Sequence, residues 1–338
     1  MGQSGVDGNR VDPRERGRDR RADVVCLGES LAVFVPDGHQ ARRYLLTVGG
    51  AESNVACHLA RAGLPVRWVG AVGADDLGEA VLAHLRSFGV DVTDVRIDPE
   101  RPTGLYVKEP HADGSRMRYY RRGSAASALG PDLLAALDLS ATRLVHLTGI
   151  TAALSPSCHA LSRAALAPRS GGHLVSFDVN WRPVLWRDQD ARVLTELANA
   201  ADVVFVGEDE AEALWGTGDP ERVRELLPAP TTLVVKQGAR GATLVEGDAL
   251  VFQPALAVDV VEPVGAGDAF AAGFLAATLA GAEPTRRLRA GHLLAAATLC
   301  SHEDVAEPLP ADLVADLLAA DETTWAAARV TREGVTGR

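Results

Sequence analysis

The run Val264-Gly265-Ala266-Gly267-Asp268-Ala269-Phe270-Ala271-Ala272-Gly273 carries the most information in this chain. Two glycines flank a small residue, an aspartate follows at once, and a stretch of small residues with helical character comes next. Backbone amides at the start of a helix form an anion site. A carboxylate beside such a site is useful when the anion is a transferring phosphoryl group, because it can take the proton of the attacking hydroxyl. The run therefore predicts a kinase of a small hydroxylated molecule.

Composition excludes several other classes of protein. The chain has 338 residues with a net charge of −11, which argues against a nucleic-acid partner. No apolar run is long enough to span a membrane, and residues 1–21 lack the apolar core of a secretory signal. We interpret 1–21 as a disordered leader and expect a cytoplasmic protein. The four cysteines show no CxxC spacing, so we expect buried thiols rather than a disulfide framework or a zinc site.

Short apolar runs alternate with stretches of helical period, such as Ser53–Ala62 and Gly78–Phe88. This alternation predicts an α/β fold with a parallel sheet covered by helices on both faces. Active sites in such folds lie outside the carboxyl ends of the strands. The predicted strands are Val24–Leu27, Val66–Val69, Leu144–Leu147, Leu174–Phe177, Val203–Val206 and Leu233–Val235.

Two regions, 31–48 and 103–122, break the alternation. In the second, the segments 103–108 and 116–121 are split by Ala112-Asp113-Gly114, a pattern typical of a hairpin. Such an antiparallel excursion is either a lid over the active edge or an ordinary surface hairpin. Its three tyrosines and three arginines favour a role facing a ligand.

Four further motifs have both a functional and a structural interpretation, and neither GxxxxGK[ST] nor GxGxxG is present. Gly49–Asn54 could admit a ligand close to the backbone or form a capped turn. Arg182, in the polar segment after Leu174–Phe177, could bind a carboxylate or form a surface salt bridge. Lys236–Ala242 fits a nucleotide-phosphate edge or a simple turn. Cys300–Asp304 is better explained by a solvated helix end than by a metal site.

Taken together, these motifs resemble the ribokinase-like (PfkB) carbohydrate kinases over about residues 23–318. Gly49–Asn54 is similar to the first family signature and Gly265–Asp268 to the second. Within the family, the resemblance is closest to kinases of 2-keto-3-deoxygluconate. It is carried by the segments Thr103–Tyr106, Tyr119–Ser127, His146–Ile150 and Asp178–Pro183.

The resemblance implies a ribokinase-like three-layer α/β/α sandwich with a mostly parallel central sheet of nine or ten strands. The kinase domain would span 22–320, with a C-terminal tail at 321–338. A small β-sheet lid would be formed by about 31–48 and 103–122. In this family the lid often mediates dimers, so we expect a homodimer or a higher homo-oligomer.

The resemblance also implies the roles of individual residues. Asp268 would be the catalytic base, and the amides of Gly265, Ala266 and Gly267 would form the anion hole. Glu210 would serve Mg²⁺, which travels with ATP, and a monovalent cation is a further candidate cofactor. The sugar-acid site would be lined by Gly50, Asn54, Tyr106, Tyr119, Arg121, Ile150, Arg182 and Asp304. The nucleotide side would include Lys236, Gly238, Gly241, Gly265, Gly267 and His292.

The predicted reaction is ATP-dependent phosphorylation of the 6-hydroxyl of 2-keto-3-deoxygluconate. Arg121 and Arg182 suit the substrate carboxylate, and Asp268 suits the hydroxyl at the other end. The alternatives are a family kinase of fructose, ribose, a nucleoside or 5-dehydro-2-deoxygluconate, and a catalytically silent sugar or nucleotide sensor. Retention of Asp268 argues against the silent sensor.

Four positions depart from the family pattern. Glu262 and Pro263 stand where Asp and Thr are usual, and Gly207 replaces an Asn three residues before Glu210. His292 stands where an Asn is common near the adenine. None of these positions is the base or belongs to the anion hole.

Overall fold

The computed structural model describes residues 22–37, 43–111, 114–167, 172–187 and 190–336. The leader predicted at 1–21 lies outside these ranges. The strands, in chain order, are β1 (Val24–Leu27), β2 (Leu31–Pro36), β3 (Tyr44–Gly49), β4 (Val66–Val69), β5 (Ala71–Gly73), β6 (Arg96–Asp98), β7 (Leu105–His111), β8 (Gly114–Tyr120), β9 (Leu144–Thr148), β10 (Leu174–Asp178), β11 (Val203–Gly207), β12 (Thr232–Lys236), β13 (Gly241–Glu246), β14 (Ala249–Pro254), β15 (Ala257–Val258), β16 (Arg329–Thr331) and β17 (Gly334–Thr336). The helices are α1 (Ala51–Arg61), α2 (Asp76–Ser87), α3 (Asp132–Ala135), α4 (Gly149–Ala153), α5 (Pro156–Leu166), α6 (Pro183–Trp186), α7 (Arg192–Asn199), α8 (Glu208–Trp215), α9 (Pro220–Leu226), α10 (Ala266–Leu279), α11 (Pro284–Leu299), α12 (Ala311–Ala319) and α13 (Glu322–Ala327).

The central sheet has the strand order β14-β13-β12-β11-β10-β9-β1-β4. The pairs from β12 to β4 are parallel, and β13 and β14 add an antiparallel edge. The described residues thus give it eight strands, fewer than the nine or ten that the resemblance implies. β5 and β6 pair with each other in a separate sheet. The mostly parallel α/β architecture is confirmed.

Both faces of the parallel part of the central sheet are buried, which is why most of its strands read as apolar runs. Side chains alternate between the faces along each strand. On β1, Val25 and Leu27 pack in one cluster with α5 and α7, whereas Val24 and Cys26 pack in a second cluster with α1 and α10. The chain therefore forms three layers, with the sheet in the middle.

A second sheet of four strands has the order β3-β2-β7-β8 and is called here the small sheet. The predicted hairpin is present in it, since β7 and β8 pair antiparallel from Leu105↔Tyr120 onward. The turn at 112–113 lies outside the described residues. Tyr106 packs with Leu31 and Val33 on the inner face of the small sheet. Its outer parts stay exposed.

The segment 321–338, expected as a tail, folds against the domain as far as Thr336. Trp325 in α13 is only 1% exposed, and its Nε1 donates a hydrogen bond to the Pro254 carbonyl at 2.9 Å. β16 then pairs with β15 and β17. Burial of one large aromatic ring contributes a few kcal/mol and anchors α13 to the domain. In the ranges that the structure describes, no helix has the length and apolar character needed to cross a membrane.

Candidate active site

Polar side chains gather where neighbouring parallel strands end. Glu29 follows β1, Asp178 ends β10, and Lys236 ends β12. Because parallel strands present their carboxyl ends at one edge, these side chains meet there. They line a cavity of about 660 Å³ whose opposite wall is the small sheet, through residues such as Tyr106 and Tyr119.

This cavity brings together all the residues predicted for the sugar-acid site. The residues that line it from that set are Gly50, Asn54, Tyr106, Tyr119, Arg121, Ile150, Arg182 and Asp304. From the other predicted roles, Gly265, Gly267, Asp268, Lys236 and Glu210 also line it. Ala266, Gly238, Gly241 and His292 are not among the lining residues. One cavity therefore holds both the proposed base and the proposed substrate contacts.

The two glycine-rich motifs meet through a hydrogen bond between their helices. Gly50 precedes α1 in a place that only glycine fits, because an added Cβ would lie 2.6 Å from the Glu29 carbonyl oxygen. One turn into α1, the Asn54 side-chain amide donates to Asp268 Oδ2 at 2.8 Å. Helices α1 and α10 also pack side by side in the same core cluster. The first motif thus orients the carboxylate of the second.

Helix α10 begins at the glycine-rich turn. Gly265 has φ +83°, and an added Cβ would lie 2.6 Å from the Asp304 carbonyl oxygen, so glycine is required twice over. The first amides of a helix have no helical acceptor and are available to an anion. Gly265 and Gly267 line the cavity, whereas the Ala266 amide makes a long 3.5 Å contact to the Pro263 carbonyl. The anion hole stays a prediction, with Gly265 and Gly267 at the cavity and Ala266 outside its lining.

The pKa of Asp268 is adjusted by its surroundings. Removal from bulk water raises the pKa of Asp268 to about 7. The hydrogen bond from Asn54 lowers that pKa, while the nearby Asp178 carboxylate raises it. A carboxylate whose pKa lies near neutral pH is well matched to accept a proton from a hydroxyl.

Lys236 brings a positive charge to the start of α10. Its Nζ donates to Asp178 Oδ2 at 2.7 Å, and an added Cβ at Gly267 would lie 3.6 Å from the same nitrogen. Burial lowers the pKa of Lys236, but the Asp178 and Glu210 carboxylates raise it by more, so the net shift of the pKa is upward. A fixed ammonium beside helix amides is a suitable partner for phosphate oxygens.

The two oxygens of the Glu210 carboxylate contact different neighbours. Its Oε2 accepts from the Gly207 amide at 2.8 Å, and its Oε1 lies 3.4 Å from Arg182 Nη1. Burial raises the pKa of this carboxyl. The described residues contain no group of three side chains arranged to hold a metal. Mg²⁺ on a nucleotide needs only one or two protein carboxylates besides phosphates and water, and Glu210 with Asp178 fits that requirement.

The two arginines expected to bind the substrate carboxylate already have partners. Arg121 pairs with the buried Glu29, with Nε 2.7 Å from Oε2. Arg182 donates from Nη1 to the Trp181 carbonyl at 2.9 Å and contacts Glu210. Its side chain is 51% exposed, so part of its guanidinium stays open to the cavity that it lines. The arginines are thus held in place, and only part of each guanidinium can meet a ligand.

His292 lies in the core rather than at the cavity. It is buried, its Nε2 lies 3.1 Å from the Gln253 carbonyl oxygen, and its ring packs against Phe270 and Trp325. Burial lowers the pKa of His292 to about 4, so the ring is neutral. Gly241 packs on the same Gln253 carbonyl, which an added Cβ would approach to 2.3 Å. The nucleotide role of these residues stays a prediction.

Sequence reasoning missed several residues of the cavity. Glu29 and Arg116 both line it, and so does Asn180, whose φ of +42° is unusual for a residue other than glycine. The Asn180 backbone amide donates to Asp178 Oδ1 at 3.2 Å, and the side-chain oxygen Asn180 Oδ1 has no partner in the described structure. Glu29 could have been found from its position in the sequence, since it is the first charged side chain after β1.

The comparisons with known proteins show the family to which the chain belongs. Residues 21–312 match the model of the pfkB family carbohydrate kinases. The 2-dehydro-3-deoxygluconokinase of Thermoproteus tenax is 38% identical over 78% of this chain and 84% of its own length. The enzyme of that name from Bacillus subtilis is 35% identical over 90% of this chain and 97% of its own. A Vibrio cholerae fructokinase structure with fructose, ADP and calcium has a TM-score of 0.76 at 26% identity, covering 88% of this chain and 99% of its own. The chain belongs to the pfkB family of carbohydrate kinases.

Proposed function

We propose that this kinase uses ATP to phosphorylate the 6-hydroxyl of 2-keto-3-deoxygluconate, a sugar acid. The observation that carries the proposal is the placement of Asp268 at the N-terminus of α10, hydrogen-bonded to Asn54, in a cavity that it shares with Arg182. A group that can take a hydroxyl proton and a donor for a carboxylate thus line one space. Two curated relatives at 35% and 38% identity carry the name 2-dehydro-3-deoxygluconokinase, another name for a kinase of this sugar acid.

In the proposed reaction, Asp268 accepts the proton of the 6-hydroxyl while that oxygen bonds to the γ-phosphorus. The bond between the γ-phosphorus and the β-phosphate oxygen breaks, and its electron pair leaves with ADP. Gly265 and Gly267 amides and the Lys236 ammonium stabilise the charge on the transferring group. Glu210 would hold Mg²⁺, which neutralises phosphate charge when it is bound.

Arg182 positions the other end of the substrate. The exposed part of its guanidinium can donate two parallel hydrogen bonds to a carboxylate. Tyr106 and Asp304 would bind hydroxyls between the two ends. Holding both ends aligns the hydroxyl for attack, which supplies a large part of the catalysis in phosphoryl transfer.

A kinase of a neutral sugar such as fructose is the second candidate. The observation in its favour is the Arg121–Glu29 ion pair, because a guanidinium already neutralised by a buried carboxylate has less need of an anionic ligand. A fructokinase of Klebsiella pneumoniae is 34% identical over 82% of this chain.

A substrate panel tests the choice. The purified protein is given ATP and Mg²⁺ with 2-keto-3-deoxygluconate, its galactonate-derived epimer, fructose, ribose or a nucleoside, and ADP release is measured. We expect the largest kcat/KM for 2-keto-3-deoxygluconate and phosphorus NMR of the product to show a primary phosphate ester. Faster turnover of fructose or ribose would overturn the proposal. Omission or replacement of potassium in the same assay shows whether a monovalent cation is needed.

We further propose that the small sheet closes over the cavity and joins two copies of the chain. The proposal is supported by large apolar side chains that stay exposed on it, namely Tyr44, Leu45, Leu46 and Tyr120, each 47–58% exposed. Sedimentation of the wild type should show a dimer that Leu46→Glu dissociates. Ile97→Glu, on the separate β5–β6 sheet, is the matched control, since Ile97 is also 47% exposed. A monomeric wild type would refute this arrangement.

A further inference from the structure

The chain contains only two lysines, Lys108 and Lys236, beside 32 arginines. Both lysines are paired with carboxylates at the cavity or next to it. Lysine carries a compact ammonium, whereas arginine carries a broad planar fork. Where nearly every other basic position is arginine, the two lysines mark places that need a small point charge. Lys236 belongs to the candidate active site, whereas Lys108 is not among the residues that line its cavity.

Lys108 lies on β7 of the small sheet and is only 5% exposed. Its Nζ lies 3.7 Å from Asp304 Oδ1 and 3.8 Å from Glu262 Oε2. Burial of an ammonium costs several kcal/mol unless carboxylates compensate it. The ammonium and the two carboxylates therefore depend on one another, and they join the small sheet to the main domain.

Asp304 lines the cavity, and Glu262 immediately precedes Pro263 and Val264, which also line it. Glu262 stands three residues before Gly265, in the segment that leads into α10. The Asp304 carbonyl oxygen packs against Gly265, since an added Cβ there would lie 2.6 Å from it. The Asp304 carboxylate reaches the cavity beside the Tyr106 hydroxyl. A charge at Lys108 thus acts on both the anion-hole turn and a predicted substrate contact.

We propose that Lys108 is a positioning residue, which joins the small sheet to the anion-hole turn and keeps Asp304 an ionised acceptor for a substrate hydroxyl. Lys108 does not contact the reacting atoms itself, and it acts through Asp304 and Glu262. The inference deepens the proposed function and rests on it, because it assumes that Asp304 binds the sugar. It also gives Glu262, a departure from the family pattern, a specific partner.

The charges around Asp304 fix the sign of the expected effects. Burial raises the pKa of Asp304, the Lys108 ammonium lowers it, and the Glu262 carboxylate raises it. From β7, Tyr106 also donates a hydrogen bond to Asp304 and lowers the pKa, and burial keeps that phenol protonated. From α1, His58 hydrogen-bonds the Asp304 backbone and is neutral, since burial lowers its pKa to about 4. Arg61 on the same helix donates to the carbonyls of Val305 and Ala306.

Substitution of Lys108 and of Glu262 should therefore move sugar binding in opposite directions. Affinity for 2-keto-3-deoxygluconate is measured by calorimetry from pH 5.5 to 8.5 without nucleotide, so that turnover plays no part. Lys108→Met should move the acid limb of the affinity up by about one pH unit. A shift of that size weakens binding by up to about tenfold on the acid side of the limb and by less at pH 7. Glu262→Gln should move that limb down, and the double variant should return towards the wild type.

Lys108→Arg separates charge from shape. It retains the positive charge, so we expect the acid limb to stay near its wild-type position, while the bulky guanidinium lowers thermal stability. If Lys108→Met does not fold, Glu262→Gln and Lys108→Arg still decide the question. A purely structural role predicts no movement of the acid limb in any folded variant, or movement in the same direction for Lys108→Met and Glu262→Gln. Either result would overturn the proposal.

Amine labelling gives a second, independent measurement. The sequence has only two lysines, so acetylation can be followed at each of them by mass spectrometry. Lys108 should react slowly, more slowly still with sugar bound, and faster in Glu262→Gln. Reaction at the wild-type rate in Glu262→Gln would show that the ion pair does not hold the small sheet in place.

The failure of this inference and the failure of the proposed function can be distinguished. If the wild type neither binds nor phosphorylates 2-keto-3-deoxygluconate, the proposed function fails. The variant series is then repeated with the best substrate of the panel, because Asp304 would accept a hydroxyl from any sugar. If the wild type acts on the sugar acid but the acid limb never moves, only the role of Lys108 is refuted.

Discussion

Replacement of Asp268 by asparagine should abolish most turnover and yet stabilise the folded protein at alkaline pH. The substituted side chain keeps the size of the original, and its amide oxygen can still accept the hydrogen bond from Asn54. It cannot take the proton of the attacking hydroxyl, so we expect kcat to fall by about 10²–10⁴-fold. Binding of the sugar and of the nucleotide should change little, because neither depends on proton transfer.

The stability gain follows from the raised pKa of Asp268. Burial lifts the pKa to about 7 from the ordinary value of 3.8, so folding disfavours the charged form. Relative to a neutral side chain, the wild type therefore loses stability as the pH rises from about 4 to about 7. The loss is about 1.5 kcal/mol at pH 5 and reaches a ceiling of about 4 kcal/mol above pH 7. Because Asp268 lines an open cavity, water offsets part of this penalty, and we expect a gain of about 1–2 kcal/mol for Asp268→Asn at pH 8.

Urea unfolding at pH 5 and pH 8 measures this gain, and a coupled ADP assay measures kcat. Asp75→Asn is a control of opposite sign. Burial raises the pKa of Asp75, but hydrogen bonds from Thr103 and the Gly78 amide outweigh that effect and lower it. Its stabilisation is present above about pH 4, so Asp75→Asn should lose stability at both pH values while kcat stays unchanged. A near-normal kcat in Asp268→Asn would refute the base assignment, and an equal stability change at pH 5 and pH 8 would refute the raised pKa.

Four further outcomes test the site. Wild-type kcat/KM should rise with pH through an apparent pKa near 7, and a limb below pH 5 would contradict the environment described for Asp268. Arg182→Ala should raise KM for the sugar acid by about tenfold or more and leave kcat nearly unchanged. Substitution of the exposed Arg187 by alanine is the control. An unchanged KM in Arg182→Ala would exclude Arg182 as a carboxylate ligand. Gly265→Ala should lower the free energy of unfolding by about 1–3 kcal/mol and remove most of kcat, since its Cβ would meet the Asp304 carbonyl. Gly281 has φ +72° and open space around it, so Gly281→Ala should lose a little stability and no activity. Lys236→Met should destabilise by up to about 3 kcal/mol, because it removes the countercharge of the buried Asp178 while cavity water offsets part of the penalty. Lys236→Met with Asp178→Asn should regain stability but not turnover.

The buried parallel strands were the most predictable part of the fold. The runs Val24–Leu27 and Val66–Val69 coincide with β1 and β4 at both ends. A strand buried on both faces has no alternation of apolar and polar residues, so its apolar run begins and ends where the strand does. The antiparallel edge strand β14 was missed although it begins with four apolar residues, because it follows β13 with no helix between them and its residues are mostly exposed. The two-residue β15 offers still less pattern to detect.

In the site, residues fixed by local backbone geometry were predictable and long-range partners were not. Gly265 is required by its own φ angle, and Asp268 follows from its place in the first turn of α10. The partner of Arg121 is Glu29, 92 residues earlier in the chain. Such a pairing depends on how β1 and the small sheet meet in space, and no spacing along the chain encodes it. The same holds for Lys108 and Glu262.

The paired arginines change how selectivity for an acid has to be explained. An unpaired guanidinium would attract any anion through its charge alone, including phosphate groups of the wrong molecule. Glu29 and Glu210 offset that charge and fix the orientation of the Arg121 and Arg182 side chains. What remains is directional: a few N–H donors at a cavity that also contains Asp268. A ligand that leaves those donors unsatisfied loses affinity even if it is neutral, because displaced water is not replaced by an acceptor. On the proposed function, preference for the sugar acid therefore comes from the geometry of hydrogen bonding more than from net charge.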